Sequence, residues 1–557
     1  MKLAHQFLAC QAVVALLAQT SATNATELSI DRISSYVPLS KDAVSVEQVT
    51  SITQFSDVYP TDWAYQALSN LIERYGCVAG YPNGTYRGNR AMTRFEAAAL
   101  LNACLDRVTE VTDELKRLMK EFEKELAIVK GRVDGLEARV GELEATQFST
   151  TTKLKGKTTF VIGGVNANGD SQNGISFDQV GTGGADAYNE EFGALTFNYN
   201  LDLFLDTSFT GKDLLRTKLR AGNFGQSAFG GRGVNLTGLN IAFASEDNVK
   251  VDRLFYKFPI GESFTFIAGA KARNTEVLAM WPSVYTKGGA TILDYTAVAG
   301  VPGVYNKATG QLIGGYWQQK VDKGEPNLNV SINYVTGNKA GSNSNPGEGG
   351  FMTENSAANL TAQVGWGNGN YGIAGAYRYG QCDSNFRKGT SFVQNEKYNL
   401  KCTTENGERT TRSSNSYALN AYWQPEKSGL IPSISIGWSI NTVNGKRIVD
   451  GTYTNSQSWF TGLKWEDALM DGNALGIAVG QPTFATALEG SDTAFDGNYI
   501  FELYYNFQVT DNIAVAPALF YLSRPMGQNT QNLIDNGAGY DGRFNVFGGL
   551  IQTTFKF

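Results

Sequence analysis

Histidine is almost absent from the sequence. The 557 residues contain one histidine, His5, and only five cysteines. His5 lies in an N-terminal segment that we expect to be removed, which would leave a mature protein without any imidazole. This excludes Ser-His-Asp and Cys-His nucleophile systems and histidine-ligated zinc or iron. We therefore predict no enzymatic activity, no metal site and no cofactor.

Charged residues and long apolar runs are also scarce. Charged side chains make up 18 %, and 47 Lys+Arg against 53 Asp+Glu give a net charge of −6. This balance argues against a nucleic-acid partner, and an aromatic content of 12 % is too high for a disordered chain. Beyond the first residues no stretch approaches the roughly 18 apolar residues of a membrane-spanning helix. If the chain is exported, it either stays soluble or enters a membrane as a β-barrel.

The first 25 residues have the order of a secretory signal peptide. Lys2 precedes an apolar run at residues 7–18, which is followed by small residues at 20–25. Cleavage after Ala22 and cleavage after Ala25 both fit this pattern, and the sequence leaves the choice open. We expect residues 1–25 to be a signal peptide.

A segment of mixed composition at residues 50–107 contains four short motifs. They are Phe-Ser-Asp-Val at 55–58, Thr-Asp-Trp-Ala at 61–64, Gly-Tyr-Pro-Asn-Gly-Thr at 80–85 and Thr-Arg-Phe-Glu at 93–96. Thr61 is expected to cap a first helix that Gly76 ends. Thr93 and Glu96 have the spacing of a capping box at the start of a second helix.

These four motifs, in this order, resemble the S-layer homology (SLH) unit. The resemblance implies binding to polysaccharide linked to peptidoglycan, with Arg94 as the cation that meets an acidic sugar substituent. Thr93, Glu96, Trp63 and Asn83 are further candidates for glycan contact. Alternatively, Thr93 and Glu96 only cap a helix, Arg94 is a solvated surface charge, and Trp63 belongs to the core. SLH proteins commonly combine three units, and the single unit found here should bind weakly unless several chains come together.

Residues 108–147 are charged and follow a heptad pattern. Apolar residues recur at intervals of three and four, with one stutter at Phe122, at positions 108, 111, 115, 118, 122, 126, 129, 133, 136, 140 and 143. This predicts a coiled-coil stalk of two to four chains, about 60 Å long at 1.5 Å per residue. The alternative is a single amphipathic helix packed on the SLH unit.

Residues 153–557 show apolar and polar residues in alternation. The pattern is clear at 195–206, 215–221, 434–440, 501–507 and 513–521. Connections are short at Gly211 and Asp511 but long and rich in Asn, Gly and Ser at 337–355 and 523–543. The alternating final residues end in Phe557, which resembles the C-terminal signature of outer-membrane barrel proteins. We predict a mainly β fold, a transmembrane antiparallel barrel of about 16 strands with a water-filled lumen, rather than a soluble sandwich.

The order of signal peptide, SLH unit, stalk and barrel resembles the major outer-membrane porins of cyanobacteria. Their barrel is similar to the OprB-type carbohydrate porin family. The resemblance implies a homotrimer in the outer membrane that passes ions and small hydrophilic solutes, with the SLH unit and stalk in the periplasm. An alternative function is a structural tether between membrane and wall whose barrel is plugged by its own loops.

Two sets of side chains are candidates for specific roles in the predicted barrel and SLH unit. Arg216, Lys218 and Arg220 share one face of a strand, which must face the lumen because charges in lipid are costly. They either set ion selectivity or are neutralised by Asp202, Asp206 or a loop that folds inward. The connection at residues 274–316 is a candidate for that inward loop. Four cysteines form two candidate disulfide pairs, Cys382 with Cys402 and Cys77 with Cys104. The second pair is equally explained as two buried thiols.

Overall fold

The computed structural model describes part of the N-terminal region and most of the C-terminal region. In the first it describes residues 51–62 and 64–73 and a few positions up to residue 122. From residue 151 onward it describes all residues except 170–174, 178–179, 289, 338, 395–401, 403–411, 428, 446–450, 491–492 and 534–542. The chain divides into two compact units, Met1–Glu144 and Ala145–Phe557. The predicted signal peptide lies outside the described residues.

The described part of the first unit is built around helix α1, Tyr65–Glu73. Leu68 and Ile72 on α1 pack with Ile52, Phe55 and Val78 to form a small apolar core. The helix begins at Tyr65 and not after Thr61, because a turn comes first in which the Asp62 carboxylate accepts the Tyr59 N–H at 2.8 Å. Gly76 ends the helix as predicted: its φ is +59° and its N–H donates to the Ile72 carbonyl at 3.0 Å.

Two of the motifs in this unit contact each other directly. The Ser56 N–H donates to the carbonyl of Gly84 at 2.9 Å, and the Tyr86 N–H donates to the Asp57 carboxylate at 2.6 Å. The Phe55 and Tyr86 rings lie 5.5 Å apart. The motif at 55–58 therefore packs on the end of the turn at 80–85. Of the predicted stalk only residues 120–122 are described, and Phe122 lies at a bend where the stutter is predicted.

The second unit is a closed barrel. Sixteen strands of its described part pair antiparallel with their sequence neighbours, and β1 closes the barrel against β18. The strands are β1 Thr152–Asn168, β2 Ile175–Phe177, β3 Val180–Gly183, β4 Thr196–Thr207, β5 Leu214–Gly222, β6 Lys250–Ile260, β7 Phe264–Arg273, β8 Thr309–Gln318, β9 Asn327–Val335, β10 Asn359–Gly367, β11 Tyr371–Gln381, β12 Ser413–Trp423, β13 Ser433–Asn444, β14 Tyr453–Glu466, β15 Ala474–Leu488, β16 Tyr499–Thr510, β17 Ile513–Ser523 and β18 Asn545–Lys556. Strands β2 and β3 form a separate hairpin.

Short helices lie in the connections between these strands. Helix α2, Ala185–Phe192, precedes β4, and helix α3, Ser391–Gln394, lies between β11 and β12. Short segments of 3-10 helix occur in these connections at Phe224–Gln226, Ala228–Gly230, Asn235–Thr237, Asn274–Val277, Thr296–Val298, Ala340–Ser342 and Gly527–Leu533, and in the first unit at Ile52–Gln54.

Alternation along each strand places apolar side chains outside and mainly polar ones inside. On β1, Phe160 and Ile162 point outward and are 37 % and 45 % exposed, whereas Val161 between them is buried. The outward rows of β13 and β16 are likewise exposed and apolar, as required of a surface that meets lipid. The predicted fold class, including the number of barrel strands, is confirmed.

The connections differ in length at the two ends of the barrel. At one end β4–β5, β6–β7, β10–β11 and β16–β17 are joined by short turns, including the predicted ones at Gly211 and Asp511. At the other end the chain runs through long segments between β5 and β6, β7 and β8, β11 and β12, and β17 and β18. Two of these long connections fold into the barrel and form its interior.

Candidate permeation path

The connection between β7 and β8, residues 274–308, lies inside the barrel and is here called the first inward loop. Its residues Val298, Val301 and Val304 are buried against Ala376 on β11 and Ala418 on β12. The predicted inward segment 274–316 therefore occurs, although β8 begins at Thr309 and so its last residues belong to the wall.

Polar contacts fix the first inward loop to the opposite wall. Glu502 on β16 is only 2 % exposed and accepts hydrogen bonds from the Tyr285 hydroxyl at 2.8 Å and from the Leu293 N–H at 2.7 Å. The Thr296 hydroxyl lies 3.1 Å and 3.2 Å from the two carboxylate oxygens. On β13, the Ser435 hydroxyl accepts the N–H of Tyr285 at 3.1 Å. One buried carboxylate thus collects three donors from the loop.

The connection between β5 and β6, residues 223–249, is a second inward loop. Phe229, Leu236 and Leu239 belong to one apolar cluster with Val161 on β1 and Phe520 on β17. The two loops meet through backbone hydrogen bonds, from the Asn240 N–H to the Ile292 carbonyl at 2.8 Å and from the Asp294 N–H to the Gly238 carbonyl at 3.1 Å. Together they fill one side of the lumen.

Inward-facing side chains on that side are almost fully buried. Examples from β9 to β17, each at most 2 % exposed, are Ser331, Asn333, Thr361, Gln363, Ser416, Asn420, Ser439, Asn441, Ser458, Lys464, Glu502 and Phe520. By contrast, inward cations on β1 and β5 remain in contact with solvent, with side-chain exposures of 61 % for Lys155 and 28 % for Arg216. In the described structure solvent therefore reaches inward side chains near the starts of β1 and β5.

The three cations predicted on β5 face this side of the lumen and are ion-paired. Arg216 donates from Nε and Nη2 to the two carboxylate oxygens of Asp206 at 2.7 and 2.9 Å. Lys218 lies 3.0 Å from Asp202 and 3.3 Å from Asp252, and Arg220 lies 3.1 Å from Asp202. These contacts correspond to the alternative of local neutralisation by Asp202 and Asp206.

Sequence alternation alone does not identify Asp252 as part of this network. A register shift of the β5–β6 pairing between Lys218 and Leu219 leaves Asp252 as an extra residue on β6, so that Asp252 and Arg253 are both buried. Strict alternation along a strand assigns two neighbouring residues to opposite faces. Nothing in the local sequence indicates the bulge.

The inward residues of β1 and β4–β6, here called the cationic wall, reach solvent through cations, although Lys218 and Arg220 are as buried as their carboxylate partners. The carboxylate side chains of Asp202, Asp206 and Asp252 are 8–11 % exposed, whereas Lys155 and Arg216 reach the solvent. Lys257 on β6 is half-buried, with Nζ 5.2 Å from the centre of the Tyr316 ring. The solvent in the lumen therefore meets mainly positive charge.

A second charged group lies where the inward loops meet the β11–β12 connection. Asp294 accepts Lys307 Nζ at 2.5 Å, and its other oxygen lies 2.6 Å from Arg387 Nε and 3.9 Å from Lys388 Nζ. Burial would raise the pKa of Asp294, but these three positive charges outweigh burial and hold the pKa well below its usual range. Burial lowers the pKa of Lys307 and of Lys388 to about 8 each, although Asp294 acts to raise both.

The remaining predicted site residues divide into two groups. Cys382 and Cys402 form a disulfide in the β11–β12 connection, 20 residues apart in sequence. The candidates for glycan contact and the second cysteine pair lie outside the described residues; they are Trp63, Asn83, Thr93, Arg94, Glu96, Cys77 and Cys104. Glu502, Asp294, Lys307, Arg387 and Lys388 are additional residues that the sequence reading missed.

The described part of the chain has neither a group of metal ligands nor a membrane-spanning helix. Among these residues no three or more His, Cys, Asp or Glu side chains are placed to hold a metal ion. None of the described helices is long and apolar enough to cross a membrane.

Each of the two units matches a known protein family. Residues 54–98 match the S-layer homology domain, and residues 110–557 match the carbohydrate-selective porin, OprB family. An uncharacterized protein of Nostoc sp. is 34 % identical over 97 % of this chain and 91 % of its own length. Outer membrane protein SlpA of Deinococcus radiodurans is 36 % identical over 105 residues, 17 % of this chain and 9 % of its own. Pseudomonas putida OprB, in a structure determined at high pH, covers 75 % of this chain and 96 % of its own with 12 % identity and a TM-score of 0.44.

The family match spans the whole barrel and extends back into the segment predicted as a stalk. It agrees with the closed barrel of sixteen described strands and with an interior that holds polar side chains. The protein is thus an outer-membrane channel and not an enzyme, and the chain belongs to the OprB family of carbohydrate-selective porins.

Proposed function

We propose that the barrel is a passive diffusion pore for ions and small hydrophilic solutes, and that the SLH unit anchors the outer membrane to peptidoglycan-linked polysaccharide. The observation that supports the pore is the cationic wall, on which inward side chains such as Lys155 are exposed to solvent. The two inward loops fill another part of the barrel interior and leave these side chains accessible. The family description supports small sugars among the solutes. Single-channel conductance in planar bilayers, with sugar uptake by liposome swelling, tests this function.

A structural tether with a plugged barrel is the second candidate. It is favoured by the extent to which the two inward loops bury the inward residues of β9–β17. Purified trimers that insert into bilayers and carry no current would support the tether. Stepwise conductance, together with swelling in small sugars, would support the pore.

We further propose that three inward lysines give the pore a preference for anions: Lys155, which is exposed, and Lys157 on β1 and Lys257 on β6, which are partly exposed. Lumen charges act on permeant ions within a Debye length of about 10 Å at 0.1 M salt. Replacing Lys155, Lys157 and Lys257 with Glu should move the reversal potential in a salt gradient toward cation preference. The corresponding Gln variant should fall between that variant and the wild type.

These three lysines are better targets than Arg216, Lys218 and Arg220, because Lys155, which lies 3.4 Å from Asp206, can be replaced while Arg216 remains as the partner of that carboxylate. Three glutamates at the latter positions would face Asp202, Asp206 and Asp252 and would leave buried carboxylates without partners. Lys212→Glu, in the exposed turn after β4, is a control for a charge outside the lumen. A reversal potential that stays at the wild-type value in the Glu variant would exclude these lysines from the conduction path.

Wall binding is proposed to depend on Arg94. Arg94→Ala should reduce the amount of protein that sediments with purified wall sacculi, because an anionic glycan needs a fixed cation opposite it. Conductance should be unchanged, since the barrel is a separate compact unit. Arg74→Ala, in the same SLH unit but outside the motif at 93–96, is the matched control. Undiminished binding of the Arg94 variant would remove this residue from the site.

A further inference from the structure

Three connections of the barrel converge on Asp294. The first inward loop contributes Asp294 itself and Lys307, and the β11–β12 connection contributes Arg387 and Lys388. The second inward loop contributes Asn240 Oδ1 and the Asn235 carbonyl, which accept Lys307 Nζ at 2.6 Å and Lys388 Nζ at 2.7 Å. We call the four charged residues, Asp294, Lys307, Arg387 and Lys388, the junction.

The junction contains more positive than negative charge. Three cations surround a single carboxylate, and the other acceptors of the two lysines are neutral oxygens. The side chains of Asp294, Lys388 and Lys307 are 2 %, 8 % and 9 % exposed. The junction therefore has two positive charges in excess of its one carboxylate, and its two lysines are buried, where an unmatched charge is costly.

Arg387 provides access to this charge. Its side chain is 32 % exposed, unlike the other members of the junction, and its backbone N–H is fixed by the Pro302 carbonyl at 3.2 Å. Nε lies 2.6 Å from Asp294, and within the described part of the chain the two terminal guanidinium nitrogens donate no hydrogen bond to another residue. A planar guanidinium held in this way presents donors suited to two oxygens of one anion.

We propose that the junction binds a small oxyanion with two negative charges, of the phosphate class, with Arg387 as the residue that contacts it directly. A dianion would compensate the two unmatched positive charges, and its oxygens suit the fork of the guanidinium better than a spherical halide does. Lys307 and Lys388 would supply long-range attraction while they hold the three connections together. This inference rests on the proposed pore function only for the route by which the anion arrives.

The proposal is tested by current block with inorganic phosphate as the probe. At constant KCl, phosphate should reduce the wild-type chloride current in a saturable manner. Arg387→Gln should raise the half-blocking concentration by about tenfold, the loss expected for one charge-assisted hydrogen bond. Arg387→Lys, which retains the charge without the fork, should lie between. Lys212→Gln, in the exposed turn after β4 and outside the lumen, should be blocked as the wild type is.

A second arm uses glucose 6-phosphate in place of inorganic phosphate. Block by both compounds would indicate that phosphate monoesters are accepted, and block by inorganic phosphate alone would restrict the site to the free ion. Conducting channels that phosphate does not block, or equal block of the Arg387→Gln variant and the wild type, would overturn the inference while leaving the pore function intact.

Calorimetry separates failure of the site from failure of the pore. If the purified protein carries no current, phosphate titration of the full-length protein in detergent still tests the junction. Binding that Arg387→Gln weakens about tenfold supports the site, and absence of binding to the folded wild type overturns it.

Discussion

Replacing Leu115, Leu118 and Phe122 with Asp should lower the affinity of the protein for wall sacculi by about 10²- to 10⁴-fold, the range of avidity that linked sites provide. These three residues lie on the heptad seam of the predicted stalk. Aspartates in a seam bury charge without a partner, so the stalks should separate. Barrels should still assemble as trimers through their own contacts, while each SLH unit is left to bind alone.

The expectation follows from one SLH unit per chain. The match to the S-layer homology domain covers one unit, at residues 54–98. If wall binding needs three such units in one head, as the resemblance implies, three chains would supply them. A parallel three-stranded stalk would gather three weak sites, and effective concentration would convert them into one multivalent head. The stalk would then serve for binding strength as well as for reach.

A matched variant places three aspartates on the outer face of the same helical turns. Lys116, Arg117 and Lys120 occupy heptad positions outside the seam. Their replacement with Asp changes the net charge more than the seam variant does. This control should keep wild-type binding and wild-type oligomer size in sedimentation. The composite head is wrong if the purified protein is monomeric, or if the seam variant binds sacculi as tightly as the wild type.

The barrel could be predicted from sequence because its signal is local. Residues two apart on a strand share a face, so the alternation at 195–206 or 501–507 reports which face meets lipid. Turn residues at Gly211 and Asp511 mark strand ends for equally local reasons. These features required no knowledge of which strands pair, and the structure confirms them.

The interior could be predicted only in outline. That residues 274–316 contain an inward loop follows from length and composition, but its partners are far apart in sequence. Glu502 lies more than 200 residues from Tyr285 and Leu293, and on sequence alone it is one polar residue in an alternating strand. The role of Asp294 likewise depends on its contacts with Arg387 and Lys388, which belong to a different connection and cannot be placed beside it from the sequence.

Glu502→Ala should destabilise the seating of the first inward loop and produce frequent partial closures of the channel. In the wild type, a carboxylate that is 2 % exposed accepts the Tyr285 hydroxyl, the Leu293 N–H and the Thr296 hydroxyl. Removing it leaves three donors without this acceptor. Leaving a buried donor without its acceptor costs about 1–3 kcal/mol, and about 3 kcal/mol corresponds to a shift of about 10²-fold toward the released loop.

The direction of the effect follows from where the loop would move. It is held against β11–β16, and within the described part of the chain solvent reaches the side lined by Lys155 and Arg216. A released loop would therefore enter the path that ions use, and mean conductance should fall while current noise rises. Proteolysis within residues 274–308 should become faster, because a loop that leaves the wall exposes its backbone.

Two further variants separate a lost anchor from general damage to the barrel. Glu502→Gln keeps the side-chain shape and one carbonyl acceptor and should show an intermediate closed fraction. Ser435→Ala removes a neutral acceptor, which binds the N–H groups of Val284 and Tyr285 at 3.0 and 3.1 Å, and should have a smaller effect because hydrogen bonds to neutral groups contribute about 0.5–1.5 kcal/mol. If Glu502→Ala folds and its open-channel current has wild-type amplitude and noise, this carboxylate does not hold the loop. In that case the apolar contacts of Val298, Val301 and Val304, together with wall hydrogen bonds such as that from the Ser458 hydroxyl to the Gly300 carbonyl at 2.9 Å, would be sufficient to hold it.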